Sequence, residues 1–173
     1  MAQNNSILKN LKKVKNEIIN SAKLASVSAS SINLVAVSKT VESDLICLAA
    51  KSGQISFGEN KVQEAKLKWP KIKMLFPNTV LHMIGPLQSN KAKDAIKIFD
   101  VIETVDREKI AIELKKSMDK HQLYPDLYVQ INIGEEKQKN GCMPAEAKNF
   151  IKDCESYGIL IKGVMAIPPI DEE

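Results

Sequence analysis

Arginine and aromatic side chains are scarce in this chain. Arg107 is its one arginine, although Lys and Arg together number 25, so an anion site built from several arginine clamps is disfavoured. A phosphate would have to meet backbone N–H groups, hydroxyls or lysines. Aromatic residues make up 5% of the chain, and no basic block is interleaved with them. A surface that stacks the bases of a nucleic acid is therefore disfavoured as well.

Cysteines and long apolar runs are also limited. The three cysteines, Cys47, Cys142 and Cys154, have a spacing that fits neither a zinc site nor a disulfide framework. We interpret Cys47 and Cys154 as small apolar residues packed on helices, and Cys142 as a loop residue that could be exposed. The first 20 residues lack the apolar segment of a signal peptide, and no apolar run approaches the length of a membrane span. We predict a cytoplasmic protein in a reducing compartment.

The rest of the composition is that of a globular domain. The 173 residues are 44% hydrophobic and 27% charged, with a net charge of +4, which allows one domain with a buried core. Strand-like apolar stretches at 34–37, 55–57, 80–84, 101–104, 127–133 and 161–167 alternate with helical periodicity, which Trp69-Pro70 is expected to interrupt once. This alternation predicts a single α/β domain over residues 1–173, with a parallel sheet and helices packed outside it.

The first predicted strand ends in a lysine. Four apolar residues, 34–37, predict a fully buried strand, and Ser38-Lys39-Thr40 follows it directly. Partial burial would lower the pKa of Lys39 and leave a free amine that can attack a carbonyl. We hypothesise a Schiff base between Lys39 and an aldehyde. The alternative, which this stretch alone favours, is a surface lysine at the end of a strand.

Residues capable of chemistry follow the other predicted strands where each one ends. Glu59 and Asn60 follow the second strand, His82 lies on the third, and Glu103 ends the fourth. The carboxyl ends of parallel strands meet at one edge, which carries the active site of a (β/α) barrel and the ligand crevice of an open sheet. This clustering favours Lys39 as a site residue. Simpler interpretations stay open: Asn60 as a helix cap and His82 as a core histidine.

Five blocks of sequence carry a resemblance to a known family. They are residues 35–40 (Val-Ala-Val-Ser-Lys-Thr), 57–60 with 62–64, 82–91 (His-Met-Ile-Gly-Pro-Leu-Gln-Ser-Asn-Lys), 129–132, and 163–168 (Gly-Val-Met-Ala-Ile-Pro). In this order they resemble the pyridoxal phosphate homeostasis proteins, which are small relatives of the amino-terminal barrel of alanine racemase. The resemblance spans roughly residues 7 to 169.

The resemblance implies a TIM-type (β/α) barrel that holds pyridoxal 5′-phosphate as a Schiff base on Lys39. It implies that Val37, Asn60, His82 and Met165 line the cofactor pocket, with no metal. The implied role is to bind, release and buffer the cofactor without catalytic turnover, as a monomer at full length, with pyridoxal phosphate-dependent apoenzymes as possible recipients. The residues agree in part, because a lone lysine without an evident second base suits holding an aldehyde better than racemising an amino acid.

The chain departs from the family pattern after its last block. A complete barrel has eight strands in about 250 residues, and this sequence predicts six. The family's Ser-x-Gly-Met-Ser and Arg-Ile-Gly blocks, which grip the phosphate and place an arginine near the pyridine nitrogen, do not occur in it. Arg107, predicted in a helix after the fourth strand, does not replace them. We expect an incomplete barrel with unpaired edges, lower stability, pairing through those edges and weakened cofactor binding.

Three other functions stay open. A pyridoxal phosphate-dependent amino-acid racemase would need a second catalytic base. An aldolase-type barrel would use Lys39 to attack a sugar ketone, although a lysine on strand one with Asn60 after strand two fits a cofactor carrier better. A truncated fragment with impaired pyridoxal phosphate binding would keep the family's pattern without its function.

Overall fold

A computed structural model describes residues 2–169 of the chain. Helices and strands alternate along this range, as the sequence predicts. The elements are α1 (Ala2–Leu24), β1 (Ala36–Val37), α2 (Ser43–Lys51), β2 (Ser56–Glu59), α3 (Val62–Leu75), β3 (Val80–Met83), α4 (Ala92–Ile98), β4 (Val101–Val105), α5 (Glu108–His121), β5 (Asp126–Ile131), α6 (Pro144–Ser156) and β6 (Ile161–Ala166). None of the helices in this range is both long enough and apolar enough to cross a bilayer.

The strands of the described range form one parallel sheet in the order β1-β2-β3-β4-β5-β6. Each strand therefore pairs with its neighbours in sequence, as in a (β/α) barrel, whereas a doubly wound sheet reverses its strand order at a switch point. Within residues 2–169, β1 and β6 are the two ends of the order and do not pair with each other. The predicted fold class, α/β with an incomplete TIM-type barrel of six strands, is confirmed.

The main core lies between the sheet and its helices. Strand residues such as Phe57 and Leu81 are buried there against helix residues such as Ile110 and Leu114. In α3 the buried positions are Val62, Ala65, Trp69 and Ile72, whose spacing places them on one face of the helix. The opposite face of the sheet is therefore free to position polar side chains.

The predicted interruption at Trp69-Pro70 is wrong, because α3 runs unbroken from Val62 to Leu75 with Pro70 inside it. A proline costs a helix one backbone hydrogen bond and crowds the preceding turn. Pro70 itself is exposed, whereas Trp69 and Ile72 on either side of it are buried. The tilted packing of the Trp69 ring on Phe57, with centroids 5.3 Å apart, stabilises the continuous helix.

The prediction of a fully buried first strand is also wrong. β1 comprises only Ala36 and Val37, and the Val37 side chain is 51% exposed. β1 is an edge of the sheet and pairs only with β2 in the described range. An edge strand has a neighbour on one side only, so its residues lose half of the packing that a central strand provides.

The cysteines follow the prediction at two of three positions. Cys154 is buried and Cys47 is half-buried against the same core, as expected, and all three thiols are free. Cys142 is buried rather than exposed, because its backbone N–H donates to Gln130 O and its carbonyl accepts from Asn132 N–H, both at 2.9 Å. Burial raises the pKa of the Cys142 thiol, and raises that of Cys154 to about 11.

Candidate functional site

Three of the strands align a row of residues on the face of the sheet opposite the helices. Val37, Gly58 and His82 are direct register partners across β1, β2 and β3. Phe57 and Leu81 point into the core beneath the helices, and alternate residues of a strand point to opposite faces. The row therefore lies on the face that the helices leave uncovered. Two of the predicted cofactor residues, Val37 and His82, are brought together there.

His82 is buried but only half satisfied. Its exposed fraction is 8%, and its Nδ1 lies 2.6 Å from Oε1 of Glu103 on β4. Its Nε2 is buried and has no hydrogen-bond partner among the described residues. Buried ring nitrogens are normally paired, so an unpaired one is a position where a ligand atom can bind. His82 is therefore a buried histidine that is bonded through Nδ1 alone within the described residues.

Met165 lies on the same face at the far side of the sheet. It is the register partner of Gln130, whose neighbour Val129 is buried towards helix α6. Alternation along β5 therefore directs Gln130 to the uncovered face, and Met165 with it. Met165 is half-buried and stands on β6, whereas Val37 stands on β1. Strand register alone does not join these two residues in one pocket.

Lys39 follows the row at the end of β1. The pairing continues one residue past the strand, because Ser38 N–H donates to Gly58 O at 2.9 Å. The Ser38 side chain is buried and bonded to Glu59, and Lys39 follows it in the turn after β1. Lys39 itself is exposed, which makes the predicted partial burial wrong. Its amine is accessible to a ligand from solvent.

A buried carboxylate fixes the residue before Lys39. Glu59, at the end of β2, is 0% exposed. Its Oε1 accepts hydrogen bonds from Ser38 Oγ at 2.7 Å and Trp69 Nε1 at 3.2 Å, and lies 2.8 Å from Lys68 Nζ. A fully buried carboxylate is stable only when it is paired and hydrogen-bonded in this way. Glu59 Oε1 thus anchors Ser38, while its Oε2 is buried without a partner in the described range.

A second carboxylate fixes the residue after Lys39. Glu64 Oε1 accepts from the backbone N–H of Thr40 at 2.6 Å and from Lys68 Nζ at 2.7 Å. Thr40 has φ +60, which a residue with a branched side chain rarely adopts without support. Lys68 also donates to Ser38 O at 2.9 Å. Lys68 therefore joins both carboxylates and the backbone on either side of Lys39.

Sequence reasoning missed this network of Ser38, Glu59, Glu64, Lys68 and Trp69. One local signal was available, since Glu64 and Lys68 are four residues apart on a helix and such pairs interact. Nothing in the sequence indicated that Lys68 also reaches Glu59 and the Ser38 carbonyl, because those contacts cross between elements.

The network makes the stability of the fold depend on pH in two windows. Hydrogen bonding to Lys68 holds the pKa of Glu64 below 4.5, so its contribution is complete above pH 4.5 and is lost as the pH falls through the lowered pKa. Burial acts to lower the pKa of Lys68, but its bonds to Glu59 and Glu64 raise it above 10.5. That contribution is complete below pH 10.5 and is lost as the pH rises through the raised pKa.

We therefore expect Glu64→Gln to destabilise the chain most between pH 4.5 and 10.5. Urea unfolding of the wild type and the variant across pH measures this. The gap between their unfolding free energies should narrow in acid as the wild-type carboxylate takes up its proton. A gap that stays constant into strong acid would show that the Glu64 charge contributes nothing.

Asn60 is half-buried and is tightly packed against the loop after β3. A Cβ built on Gly85 would lie 2.3 Å from Asn60 O and 2.7 Å from its Cα, so only glycine permits this approach. The interpretation of Asn60 as the cap of α3 is wrong, because the N-cap position is Lys61, which makes no side-chain cap bond. Asn60 is held in place by backbone packing at the same edge as Lys39.

Arg107 lies just before α5, at its N-cap, rather than inside the helix as predicted. Its Nη2 donates to Leu87 O at 3.0 Å. Residues 2–169 contain no group of three or more His, Cys, Asp or Glu side chains placed to hold a metal ion.

The chain is similar to curated proteins along nearly its whole length, although no family model matches it. It is 37% identical, over 98% of its length, to the pyridoxal phosphate homeostasis protein of Buchnera aphidicola subsp. Schizaphis graminum, of which it covers 74%. It is 36% identical, also over 98%, to the protein of the same name in Escherichia coli K12, of which it covers 73%. The chain thus spans about three quarters of the length of these relatives.

Solved structures agree on the architecture. PipY of Synechococcus elongatus PCC7942, in a structure with PLP bound, is 32% identical with a TM-score of 0.74, over 90% of this chain and 72% of that one. An alanine racemase of Clostridium difficile 630 has a TM-score of 0.70 at 17% identity, over 95% of this chain and 42% of that one. At 17% identity, the similarity to the alanine racemase shows a shared fold alone.

Proposed function

Because the chain belongs to the pyridoxal phosphate homeostasis protein family, we propose that it binds pyridoxal 5′-phosphate as a Schiff base on Lys39 and helps to buffer the level of this cofactor. When bound, the cofactor would supply an aldehyde group, and the amine of Lys39 would hold it. The observation that supports this most is the position of Lys39, an exposed residue that follows β1 two residues after Val37. Val37 is in register with Gly58 and His82, and His82 Nε2 has no partner in the described range.

The residues around Lys39 fit a flat, polar ring. Val37 offers an exposed apolar surface beside the lysine, and His82 Nε2 offers a buried polar atom without a partner in the described range. Asn60 adds an amide at the same edge of the sheet, and we place Met165 of β6 in the same pocket because the family resemblance implies it. The PLP-bound structure of PipY, a relative at 32% identity, supports the same ligand.

The chain acts as a carrier rather than an enzyme in this proposal. Glu64 and Lys68 flank the Lys39 segment, and both are already bonded to its backbone, Glu64 to Thr40 N–H and Lys68 to Ser38 O. His82 offers one unpaired nitrogen, because its Nδ1 is bonded to Glu103 and its Nε2 has no partner in the described range. A racemase-type reaction needs a free base on each side of its substrate, so turnover of an amino acid would contradict the carrier role.

We also propose that the chain is a single cofactor-binding domain in the cytoplasm. One buried cluster joins residues from Ile46 to Ile159, which supports a single cofactor-binding domain. The three free thiols of the chain fit a reducing cytoplasm. Apoenzymes that use pyridoxal phosphate are the recipients that a reversible carrier would serve.

Adding pyridoxal phosphate to the purified chain tests the function. We expect an absorbance band near the visible edge that borohydride fixes onto the peptide containing Lys39. Lys39→Ala should lose the absorbance band and the borohydride label, because no other lysine directly follows β1. Lys23→Ala, which removes an exposed lysine from α1, should keep both. Label spread over many lysines, or a band that persists in Lys39→Ala, would refute the assignment.

A further inference from the structure

A cavity at the carboxyl edge of the sheet is lined by cations. It has a volume of about 520 Å³ and lies between the segments that follow β2, β3, β4 and β5. Its charged lining residues within the described range are Lys61, Lys91 and Arg107, with no aspartate or glutamate among them. The cavity therefore concentrates positive charge in a chain whose charged surface is otherwise mixed.

The fold gathers these cations at the starts of three helices. Lys61 and Arg107 occupy the N-cap positions of α3 and α5 and make no side-chain cap bond, whereas Lys91 ends a 3-10 turn, Ser89–Lys91, that continues directly into α4. N-caps are usually Ser, Thr, Asp or Asn, and a cation at the positive end of a helix dipole is unfavourable. Two N-cap cations beside one cavity, Lys61 and Arg107, indicate that these side chains serve a purpose other than capping.

Carboxylates near these helix starts have other partners. Glu64 in the first turn of α3 is bonded to Lys68, and Glu108 in the first turn of α5 accepts from Tyr157 Oη at 2.6 Å. Asp94 of α4 is 3.2 Å from Lys66. Of the acidic groups beside the cavity cations, Asp106 is bonded to Arg107 itself. The positive charge of the cavity is therefore only partly compensated by the described residues.

Arg107 is the most informative of the three cations. It is the one arginine in the chain, where lysine serves at every other basic position. Its Nη1 is bonded to Asp106 and its Nη2 to Leu87 O, so the guanidinium plane is fixed before any ligand arrives. A guanidinium has five N–H donors in a rigid fork that matches the oxygens of phosphate, which an ammonium group cannot do.

The other lining residues restrict the ligand. Amide side chains are provided by Asn60, Gln63, Gln88 and Asn140, and no aromatic ring in the described range lines the cavity. Amides suit hydroxyl groups, whereas a base or pyridine ring would favour an aromatic stacking partner. We propose that this cavity binds, without a covalent bond, the phosphate monoester of a small hydroxylated metabolite, with its phosphate on Arg107, Lys61 and Lys91. This site adjoins the Lys39 site at Asn60 and does not depend on the function proposed for it.

Titration calorimetry with inorganic phosphate and with a hexose 6-phosphate tests the proposal on the full chain. We expect saturable binding of both, tighter for the hexose phosphate because of its hydroxyls. Arg107→Gln should weaken binding about tenfold or more, and the double variant Lys61→Gln/Lys91→Gln by a similar factor. Lys109→Gln is the matched control: it removes an exposed charge two residues from Arg107, outside the cavity lining, and should change binding little.

Two further variants test whether the shape of the guanidinium group matters and whether the cavity binds independently of the Lys39 site. Arg107→Lys keeps the charge but loses the fork, so it should bind more weakly than the wild type and more tightly than Arg107→Gln. Lys39→Ala should bind the hexose phosphate as the wild type does. The proposal is overturned by an absence of saturable binding, by equal losses in Lys109→Gln and Arg107→Gln, by a loss in Lys39→Ala, or by a hexose phosphate that binds no more tightly than phosphate. If Arg107→Gln fails to fold, the Lys61→Gln/Lys91→Gln result decides.

Discussion

Lys68→Met should lower the free energy of unfolding by about 3–5 kcal/mol, the cost expected when one partner of a buried ion pair is removed. Glu59 is 0% exposed and would lose the ammonium that lies 2.8 Å from it, so a buried carboxyl group would remain without its ionic partner. Methionine keeps much of the length of the lysine side chain, so the loss would reflect charge and hydrogen bonding rather than a cavity. Urea unfolding at neutral pH measures the change.

Lys66→Met is the matched control for this prediction. Lys66 lies two residues earlier in the same helix and forms an ion pair with Asp94 at 3.2 Å, but its side chain is 59% exposed. Exposed pairs contribute about 0–1 kcal/mol, so this variant should unfold almost like the wild type. Equal effects of the two substitutions would mean that burial of Glu59 does not set the cost.

Lys68→Met should also impair the reaction of Lys39 with pyridoxal phosphate in protein that remains folded. Lys68 bonds the Ser38 carbonyl and, with Glu64, holds Thr40 in its φ +60 conformation. Without these bonds the segment that carries Lys39 should move more, which lowers the fraction of chains with the amine in place. Borohydride labelling of Lys39 at a low cofactor concentration would measure this loss.

Gly85→Ala should be strongly disruptive for a change of a single methyl group, costing about 3 kcal/mol of unfolding free energy. The added Cβ would lie 2.3 Å from Asn60 O and 2.7 Å from Asn60 Cα and Cβ. Asn60 O and Cα belong to the backbone and Cβ is attached to it, so the backbone segment after β2 would have to move. Because Asn60 belongs to the proposed cofactor site and borders the cation-lined cavity, ligand binding at both should weaken as well.

Gly53→Ala is the control that separates the cost of steric crowding at Gly85 from the cost of a left-handed backbone conformation. Gly53 has φ +89, and nothing lies within 4 Å of a Cβ built there. Its substitution should cost about 1 kcal/mol, through the strain of the left-handed conformation alone. Thermal unfolding of the two variants provides the comparison. If Gly85→Ala melts no lower than Gly53→Ala, the close packing of Gly85 on Asn60 is not required by the fold.

Local patterns in the sequence were sufficient for the arrangement of the sheet. Each helix and strand has a periodicity that depends on its own residues, so six parallel strands, the lysine after β1 and the polar residues at the carboxyl edge could all be predicted. The predictions failed where neighbours in space outweighed local preference. Burial of Trp69 kept α3 continuous through Pro70, and pairing with β5 buried Cys142.

The sequence by itself determined the fold class and pointed to Lys39, because strand periodicity and the order of motifs are local properties of the chain. Only the tertiary structure decided how Lys39 is held, since Glu59, Glu64 and Lys68 meet across β2, α3 and the end of β1. It also decided that Lys39 is exposed and that Lys61, Lys91 and Arg107 share one cavity. Burial and charge clustering arise from contacts between distant residues, and no periodicity in the sequence encodes which residues those are.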